Sequence, residues 1–412
     1  MNLRSKLPPK LRQFATVGAL IKRPLLLPAM LVVGIFILLR PFVIIQVHKV
    51  HDWRIGHMVP NTDMTLLHAQ DWNKSHRRKM KAILFFSSDN AANNYYKKMI
   101  IRDNYALQKN FGFLIYYLAS YFSFLISDLS FEDPQIMEVL FKNPPTLNFT
   151  PAELDLGYSF LKSFGLKTHE KFVCLFVRDP EYFAQMRPNS KKFAKHNLRN
   201  SDIATYVPAA ESLAENGYTV FRMGALVERP LISDNKKIID YATNGMRTEF
   251  LDIFLGSHCT FCITNGAGWD EIPKLFKRPT MFVNIIPYWQ SHHCNYNIIR
   301  YPKLLIDISD GHIINLAESL SRNIASEMHA GRIHNSGATY KDLGPDEIKE
   351  AVQEMVARVE GHFITTDQQL ITSKKIMNEL NTNATIQPSP GFYPIRAEYS
   401  SAFLIRNPSF FI

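Results

Sequence analysis

A glycine-rich loop flanked by carboxylates, at residues 265–271, has the composition of a site for an oxygen-rich ligand. The loop follows a short apolar run, Thr260–Thr264, and leads into an amphipathic segment, Trp269–Lys277, that stops before Pro279. A glycine turn between a strand and a helix directs backbone N–H groups and the helix N-terminus at a ligand, which suits a phosphate. Carboxylates in the first helical turn would repel phosphate but could accept hydrogen bonds from ribose hydroxyls. The equal alternative is an ordinary α/β turn whose acidic residues stabilise the helix dipole.

His57 is the candidate for proton transfer. It lies in Arg54-Ile-Gly-His57, soon after the first predicted strand, Val43–Val47. Gly56 would allow a tight turn that faces His57 towards a cleft. A histidine there can accept a proton from a hydroxyl near neutral pH. Because the chain contains 14 histidines, a purely structural histidine is the competing interpretation.

Charged side chains also end several predicted strands of the second half. Arg178 follows the strand Phe172–Val177, Arg222 ends a second strand, and Asp240 lies at the end of a third. An arginine at a strand end can hold a phosphate through two hydrogen bonds. For Arg178 the alternative is a surface pair with Asp179.

The elements that would position these residues alternate between strand and helix along both halves of the chain. This alternation predicts an α/β fold with two Rossmann-like parallel-sheet domains that face a cleft and join near residues 165–171. Thr150-Pro-Ala-Glu153 is a capping box and marks a helix start. The pattern also predicts helices at Thr62–Trp72, Gly112–Leu129, Val207–Glu215 and Ile313–Met328, a strand at Leu304–Ile308, and an irregular, polar final fifty residues.

Composition indicates a globular protein with a basic N-terminal region. Net charge is +10. The four cysteines include Cys259-x-x-Cys262 within an apolar run, so we expect buried thiols, a reducing compartment and no metal site. Residues 25–39 carry no charge but are short for a membrane span and contain Pro28. Basic residues flank both sides. A single span and an interfacial or re-entrant helix at residues 22–40 are both compatible with this pattern.

Several motifs resemble a known enzyme class. Gly56-His57-x-x-Pro60 resembles the acceptor-side motif of GT-B glycosyltransferases. A family of bacterial glycosyltransferases, assigned by similarity and found with surface-polysaccharide genes, resembles this chain in six motifs in order: Arg54-Ile-Gly-His, Arg178-Asp-x-x-Tyr, Arg199-Asn-x-Asp, Arg222-Met-Gly, Asp240-Tyr-Ala and Asn265-Gly-Ala-Gly. The resemblance covers roughly residues 40–360. The glycine-rich element that precedes Gly-His in the GT-B enzyme acting on peptidoglycan precursor is replaced here by Asp52-Trp-Arg54, so a shared acceptor does not follow.

The resemblance implies a GT-B-like fold and a metal-independent, inverting glycosyl transfer. A nucleotide-diphosphate sugar would be the co-substrate, with no other cofactor, and a lipid-linked or cell-envelope glycan would be the acceptor. His57 would be the catalytic base, with Arg54, Gly56 and Asn61 on the acceptor side. The implied donor-binding residues are Arg178, Arg222, Asp240, Asn265, Gly266, Ala267, Gly268, Asp270 and Glu271. The expected domains are a basic N-terminus with a membrane-associated helix (1–41), an acceptor-side domain (42–167), a nucleotide-sugar-binding domain (168–335), and a helix with a tail (336–412).

Nucleotide sugars are made in the bacterial cytosol, so the catalytic cleft should face it. We therefore expect the protein at the cytoplasmic face of a bacterial inner membrane, attached through residues 22–40, with no nucleic-acid partner. A type II arrangement in a secretory compartment is the alternative. A non-catalytic polysaccharide-assembly protein that keeps the fold is the second functional hypothesis. A dehydrogenase is disfavoured because no Gly-x-Gly-x-x-Gly follows the first predicted strand.

Overall fold

Parallel β-sheets flanked by helices form the centre of two units in a computed structural model of the chain. The first unit contains residues 1–130 and 145–147, and the second contains residues 131–144 and 148–412. The structure describes residues 23–127, 129, 139–140, 142–167, 170–186, 197–287, 298–325, 327–382 and 398–411. The predicted α/β class with parallel sheets is therefore confirmed.

The first unit has a three-stranded parallel sheet in the order β1-β2-β3. The first four residues of β2 alternate between exposed lysines and buried apolar side chains, whereas Leu84, Phe85 and Phe86 are all fully buried, as expected for a strand whose C-terminal half is covered on both faces. No helix within the described residues combines the length and apolar character needed to cross a bilayer. The elements are α1 (Arg23–Leu39), β1 (Val43–Lys49), α2 (Ile55–Ser75), β2 (Lys79–Phe86), α3 (Asn94–Asp103), β3 (Ala106–Gln108), α4 (Lys109–Ala119) and a 3₁₀ turn at Ser123–Leu125.

Two helices of this unit differ from the sequence predictions. The helix predicted for Gly112–Leu129 begins at Lys109 and ends at Ala119, where the Ser120 hydroxyl donates to the carbonyl of Tyr117 at 2.6 Å. A serine that bonds the backbone competes with helix continuation. The helix α2 begins at Ile55, earlier than its apolar pattern indicated.

The second unit has a seven-stranded sheet in the order β12-β9-β8-β7-β4-β5-β6, with every strand pair parallel. The chain adds β5 and β6 on one side of β4 and then returns to place β7 on the other side. Thr150 and Glu153 form the predicted capping box at the start of α5. The elements are α5 (Pro151–Ser163), β4 (Phe172–Phe176), α6 (Glu181–Met186), a 3₁₀ turn (Ile203–Tyr206), α7 (Val207–Glu215), β5 (Thr219–Met223), β6 (Ile238–Ile239), α8 (Glu249–His258), β7 (Phe261–Thr264), a 3₁₀ turn (Gly268–Asp270), α9 (Glu271–Leu275), β8 (Thr280–Ile285), β9 (Ile298–Pro302), β10 (Leu304–Asp307), α10 (Leu316–Ser321), α11 (Ala330–Asn335), β11 (Ala338–Lys341), α12 (Pro345–Val359), α13 (Asp367–Thr382), β12 (Glu398–Tyr399), α14 (Ser401–Arg406) and a 3₁₀ turn (Pro408–Phe411).

The C-terminal part of this unit is more ordered than its composition indicated. The helix predicted for Ile313–Met328 is limited to α10, and β10 pairs antiparallel with β11 in a separate two-stranded sheet. Within the final fifty residues, α13, β12 and α14 are regular elements. Buried Glu354 of α12 holds this segment, because its Oε2 accepts from the Ser400 hydroxyl at 2.7 Å and from the Ala402 N–H at 3.0 Å. The prediction of an irregular tail is wrong for these residues.

Candidate functional site at the strand ends of the second unit

The point where the strand order reverses, between β4 and β7, brings Arg178 and Asn265 together. Both residues follow the carboxyl end of their strand, and β4 pairs with β7. The Asn265 Oδ1 accepts from the Arg178 N–H at 2.8 Å, and the Asn265 Nδ2 donates to the carbonyl of Arg199 at 2.8 Å. Arg178 and Asn265 are both buried, at 8% and 0% exposure. Open α/β sheets bind ligands outside such a reversal point, so this is the expected position of a ligand site.

The glycine loop after β7 is closed by its own hydrogen bonds. Gly266 has a φ of +85°, which a residue with a side chain rarely adopts. Its N–H donates to the Thr264 hydroxyl at 3.2 Å, and the Ala267 N–H donates to the Asp270 Oδ2 at 2.8 Å. The carbonyl of Gly266 accepts from the Arg199 guanidinium. The predicted row of amides directed at a phosphate is therefore wrong for Gly266 and Ala267, while Gly268 is exposed.

The two carboxylates after this loop face inward rather than towards a ribose. Asp270 has no exposed surface, and its second oxygen lies 3.8 Å from the Lys274 Nζ. Glu271 pairs with the same ammonium at 2.7 Å. Burial raises the pKa of Asp270 and raises that of Glu271 to about 6, while Lys274 acts in the opposite direction. The ribose role predicted for Asp270 is contradicted by its burial, since it stabilises the loop from below.

Arg222 joins three loops instead of presenting its guanidinium to solvent. It is 1% exposed, and its Nη1 donates to the Asp240 Oδ1 at 3.1 Å. Its Nη2 donates to the carbonyl of Arg229 at 3.1 Å and lies 3.9 Å from the Asp179 Oδ2. These partners follow β4, β5 and β6. Arg222 and Asp240, both predicted to bind the donor, therefore bind one another and fix the edge of the sheet.

A shallow, open pocket of about 30 Å³ lies at this edge. Its walls come from the segments after β4 and β5 and from the turn before α7, and three carboxylates and one guanidinium line it. Carboxylates accept hydrogen bonds from hydroxyl groups and repel phosphate. The lining residues are Val177, Asp179, Ser201, Asp202, Ile203, Glu228 and Arg229.

The sequence did not mark Glu228 or Arg229 as site residues, and it marked Arg199 only as part of a motif, without a donor-binding role. Arg199 and Asp202 stand in a polar cluster within a loop of unusual length, and such loops are commonly functional. Glu228 and Arg229 lie in the non-helical connection between β5 and β6, where a crossover helix is usual. The sequence between β5 and β6 has no helical pattern, and this was the available signal that Glu228 and Arg229 lie in a functional loop.

In the first unit, His57 lies in the first turn of α2, with Arg54 as the N-cap residue. Gly56 is the second residue of that helix rather than part of a tight turn, and Asn61 lies further along the same helix, half-buried. His57 is half-buried, and its ring centroid is 6.0 Å from that of exposed His51. Burial lowers the pKa of His57 below 6.5, and Arg54 and His51 lower it further. A neutral imidazole at neutral pH is the form that can accept a proton.

Two other carboxylates that could replace His57 as a base are occupied by structural hydrogen bonds. Asp52 is 1% exposed and accepts from the Ser87 hydroxyl at 3.1 Å and from the Ser88 N–H at 2.7 Å. Asp63 is also 1% exposed, and its Oδ1 accepts from the N–H and hydroxyl of Thr146. His57 is therefore the better candidate.

One group of side chains in the described residues has the spacing of a metal site. It consists of Asp307, His312 and Glu318. Arg322 bonds both carboxylates, with its Nη1 2.7 Å from the Asp307 Oδ2, and His312 bonds Glu318 at 3.2 Å. A guanidinium already bonds both carboxylates, so the cluster is better explained as an ion-pair network.

No family model matches the chain, and no curated protein matches it. Among solved structures, the chain is similar to the ADP-heptose lps heptosyltransferase II of E. coli, with a TM-score of 0.43 and 11% identity over 77% of this chain and 100% of that one. It is also similar to a glycosyl transferase family 9 protein of Veillonella parvula, with a TM-score of 0.43 and 10% identity over 77% of this chain and 98% of that one. Both are glycosyltransferases, the class that the sequence motifs resemble. At this low similarity the likeness assigns no substrate and no residue role to this chain.

Proposed function

We propose that the chain is a metal-independent, inverting glycosyltransferase of GT-B type. It transfers a sugar from a nucleotide-diphosphate sugar to a lipid-linked or cell-envelope glycan at the cytoplasmic face of a bacterial inner membrane. The observation that carries the proposal is the convergence of Arg178, Arg199 and Asn265 at the strand-order reversal of a seven-stranded parallel sheet.

The charges at this edge favour one orientation of the donor. Arg178 and Arg199 supply positive charge beside the reversal point, which suits a diphosphate. Asp202 and Glu228 line the adjoining pocket and suit the hydroxyls of a ribose or a sugar. Because carboxylates repel phosphate, the diphosphate lies towards the arginines, and hydroxyl groups of the donor face the carboxylates of the shallow pocket.

The chemistry requires a base and a stabilised leaving group. His57 takes the proton from the acceptor hydroxyl, whose oxygen forms a bond to C1 of the sugar. The bond from C1 to the diphosphate breaks on the opposite face, so the configuration at C1 inverts. Arg178 stabilises the negative charge that develops on the leaving nucleoside diphosphate.

Donor binding is tested with Arg178→Ala. Calorimetric titration with ADP, UDP and GDP first identifies the nucleotide that binds. In the variant this affinity should fall by roughly 2 kcal/mol or more, because a charged hydrogen bond is lost and the phosphate is left unpaired. Arg332→Ala is the matched control, since Arg332 has a 76% exposed side chain and forms only a surface ion pair with Glu327. Unchanged affinity in a folded Arg178→Ala protein would remove Arg178 from the site.

The base is tested separately with His57→Ala. This variant should lose sugar transfer and keep nucleotide affinity, because His57 and Arg178 belong to different units. Exposed His334 provides the control variant His334→Ala. Full transfer activity in His57→Ala would refute the assignment. A wild-type protein that binds a nucleotide sugar but neither hydrolyses nor transfers it would support a non-catalytic polysaccharide-assembly protein instead.

A further inference from the structure

The helix α1 exposes a continuous apolar face. Leu27, Leu31 and Leu38 are 74%, 66% and 76% exposed, and Phe42, just beyond the helix, is 77% exposed. Their spacing places them along one side of the helix. We define the apolar face as Leu27, Met30, Leu31, Ile35, Leu38 and Phe42. An exposed apolar strip of this length is uncommon on a soluble surface and indicates an interaction site.

The opposite side of α1 is packed against its own unit. Ala29 and Val33 are 0% and 4% exposed and belong to one apolar cluster with Leu114 and Ala119 of α4. Small side chains at this contact allow the two helices to approach closely. The helix is therefore held along the surface of the unit, with its apolar face outward.

A group of basic residues lies beside the C-terminal end of α1. The Arg78 Nη1 donates to the carbonyl of Arg40 at 3.4 Å, and Lys79 is paired in register with Val43, just after the helix. Exposed Lys81 is two residues further along β2. We define the basic rim as Arg40, Arg77, Arg78 and Lys81, all of which are exposed.

The basic rim and α1 are on the same side of the sheet. Side chains alternate between the two faces of a strand, so Lys81 projects from the face that also carries Ile83 and Phe85. The Lys79 Nζ instead donates to the carbonyls of Asn73 and His76, at 2.6 and 3.1 Å. Ile83 and Phe85 pack in the cluster that contains Ala29 and the α4 residues. The apolar face and the basic rim therefore belong to one side of the unit. The Lys81 Nζ lies 5.6 Å from the ring centroid of Tyr105, a residue 63% exposed, which adds an amphipathic aromatic group to this side.

We propose that the apolar face and the basic rim form a docking surface for an anionic phospholipid bilayer, with α1 lying in the plane of the interface. The apolar face enters the acyl boundary while the rim contacts lipid phosphates, the combination by which interfacial helices bind. A second copy of the chain is a poorer occupant, because two basic rims brought together would repel. The surface deepens the membrane part of the proposed function, and it is tested without donor or acceptor, so its failure is distinguishable from a failure of glycosyl transfer.

Vesicle flotation of the full chain tests the surface, using phosphatidylcholine vesicles with and without phosphatidylglycerol. Wild-type protein should float with the mixed vesicles, and added salt should weaken this binding. Replacement of Leu27, Leu31 and Leu38 by serine should lower binding at least about tenfold, since apolar burial is lost. The matched control replaces three exposed isoleucines of the second unit by serine and should bind as wild type. These are Ile232, Ile364 and Ile371, which are 78%, 84% and 61% exposed.

The basic rim is tested with Arg77→Gln combined with Lys81→Gln. This variant should lose the preference for phosphatidylglycerol, a loss of roughly thirtyfold for two surface cations, and Lys162→Gln combined with Lys349→Gln should not. Sedimentation velocity of each variant verifies folding and oligomeric state. Equal binding to both vesicle types by wild type, or a soluble oligomer that the leucine replacements dissociate, would overturn the proposal.

Discussion

Replacement of Arg222 by methionine should strongly destabilise the second unit. Methionine fills a similar volume but leaves the Asp240 and Asp179 carboxylates without their shared guanidinium, 3.1 and 3.9 Å away. Removal of one partner from a buried ion pair costs about 3–5 kcal/mol. The side chain of Asp240 is 12% exposed and keeps two other hydrogen bonds, so we expect a loss of about 2–3 kcal/mol in the free energy of unfolding.

Urea unfolding, monitored by far-UV circular dichroism, measures this loss. The urea concentration at the midpoint should decrease, while the dependence of the free energy of unfolding on urea concentration stays constant. The double variant with Asp240→Asn removes the unpaired charge and should recover part of the stability. Nucleotide affinity provides a second comparison, because a folded Arg222→Met protein should bind more tightly than Arg178→Ala. A loss below about 1 kcal/mol, or no recovery in the double variant, would refute the structural role of Arg222.

Three further outcomes are expected. The acid limb of kcat/KM should have its midpoint below 6.5, because burial lowers the pKa of His57, and a midpoint at or above 6.5 would contradict a His57 base. Gly157→Ala should destabilise by about 1–3 kcal/mol, since its Cβ would lie 2.2 Å from the Phe254 ring. Gly34→Ala, inside α1, meets no atom within 4 Å and should leave stability unchanged or raise it by up to about 1 kcal/mol in thermal unfolding. Burial raises the pKa of Asp252 from 3.8 to about 6, so between these two values the folded state retains a proton that the unfolded chain releases. The free energy of unfolding should therefore fall as the pH rises from 3.8 to about 6, and Asp252→Asn should flatten this decline in urea midpoints.

Local sequence patterns predicted most of the elements around the site. The helix α7 begins and ends as its pattern indicated, and the Thr150 capping box forms as expected. Both depend on neighbours in sequence. By contrast, β12 is two residues long and its pairing depends on β9, so no local periodicity could identify it. The helix expected at Ile313–Met328 is short because Ile313 bridges to Ile306 instead of starting a helix.

For the candidate site, the sequence predicted which residues end strands but not how those ends are arranged. Arg178 and Asn265 meet because β7 returns to the side of β4, a choice of strand order that hydrophobic alternation does not encode. Charge type alone also could not distinguish a ligand-binding arginine from Arg222, which satisfies carboxylates of its own unit. Asp270 is bonded to its sequence neighbours Ala267 and Lys274, but its complete burial depends on the packing around the loop, which the local sequence does not encode.

The pairing of β12 with β9 has a consequence for synthesis on the ribosome. Tyr399 is in register with Arg300, and the Arg300 guanidinium lies 4.2 Å from the Tyr399 ring centroid. All strands between β4 and β9 emerge well before residues 398–399. Until those residues leave the exit tunnel, the outer edge of β9 offers unpaired backbone groups to any extended chain nearby. The nascent chain therefore passes through a stage in which a chaperone that shields that edge would favour correct completion of the sheet.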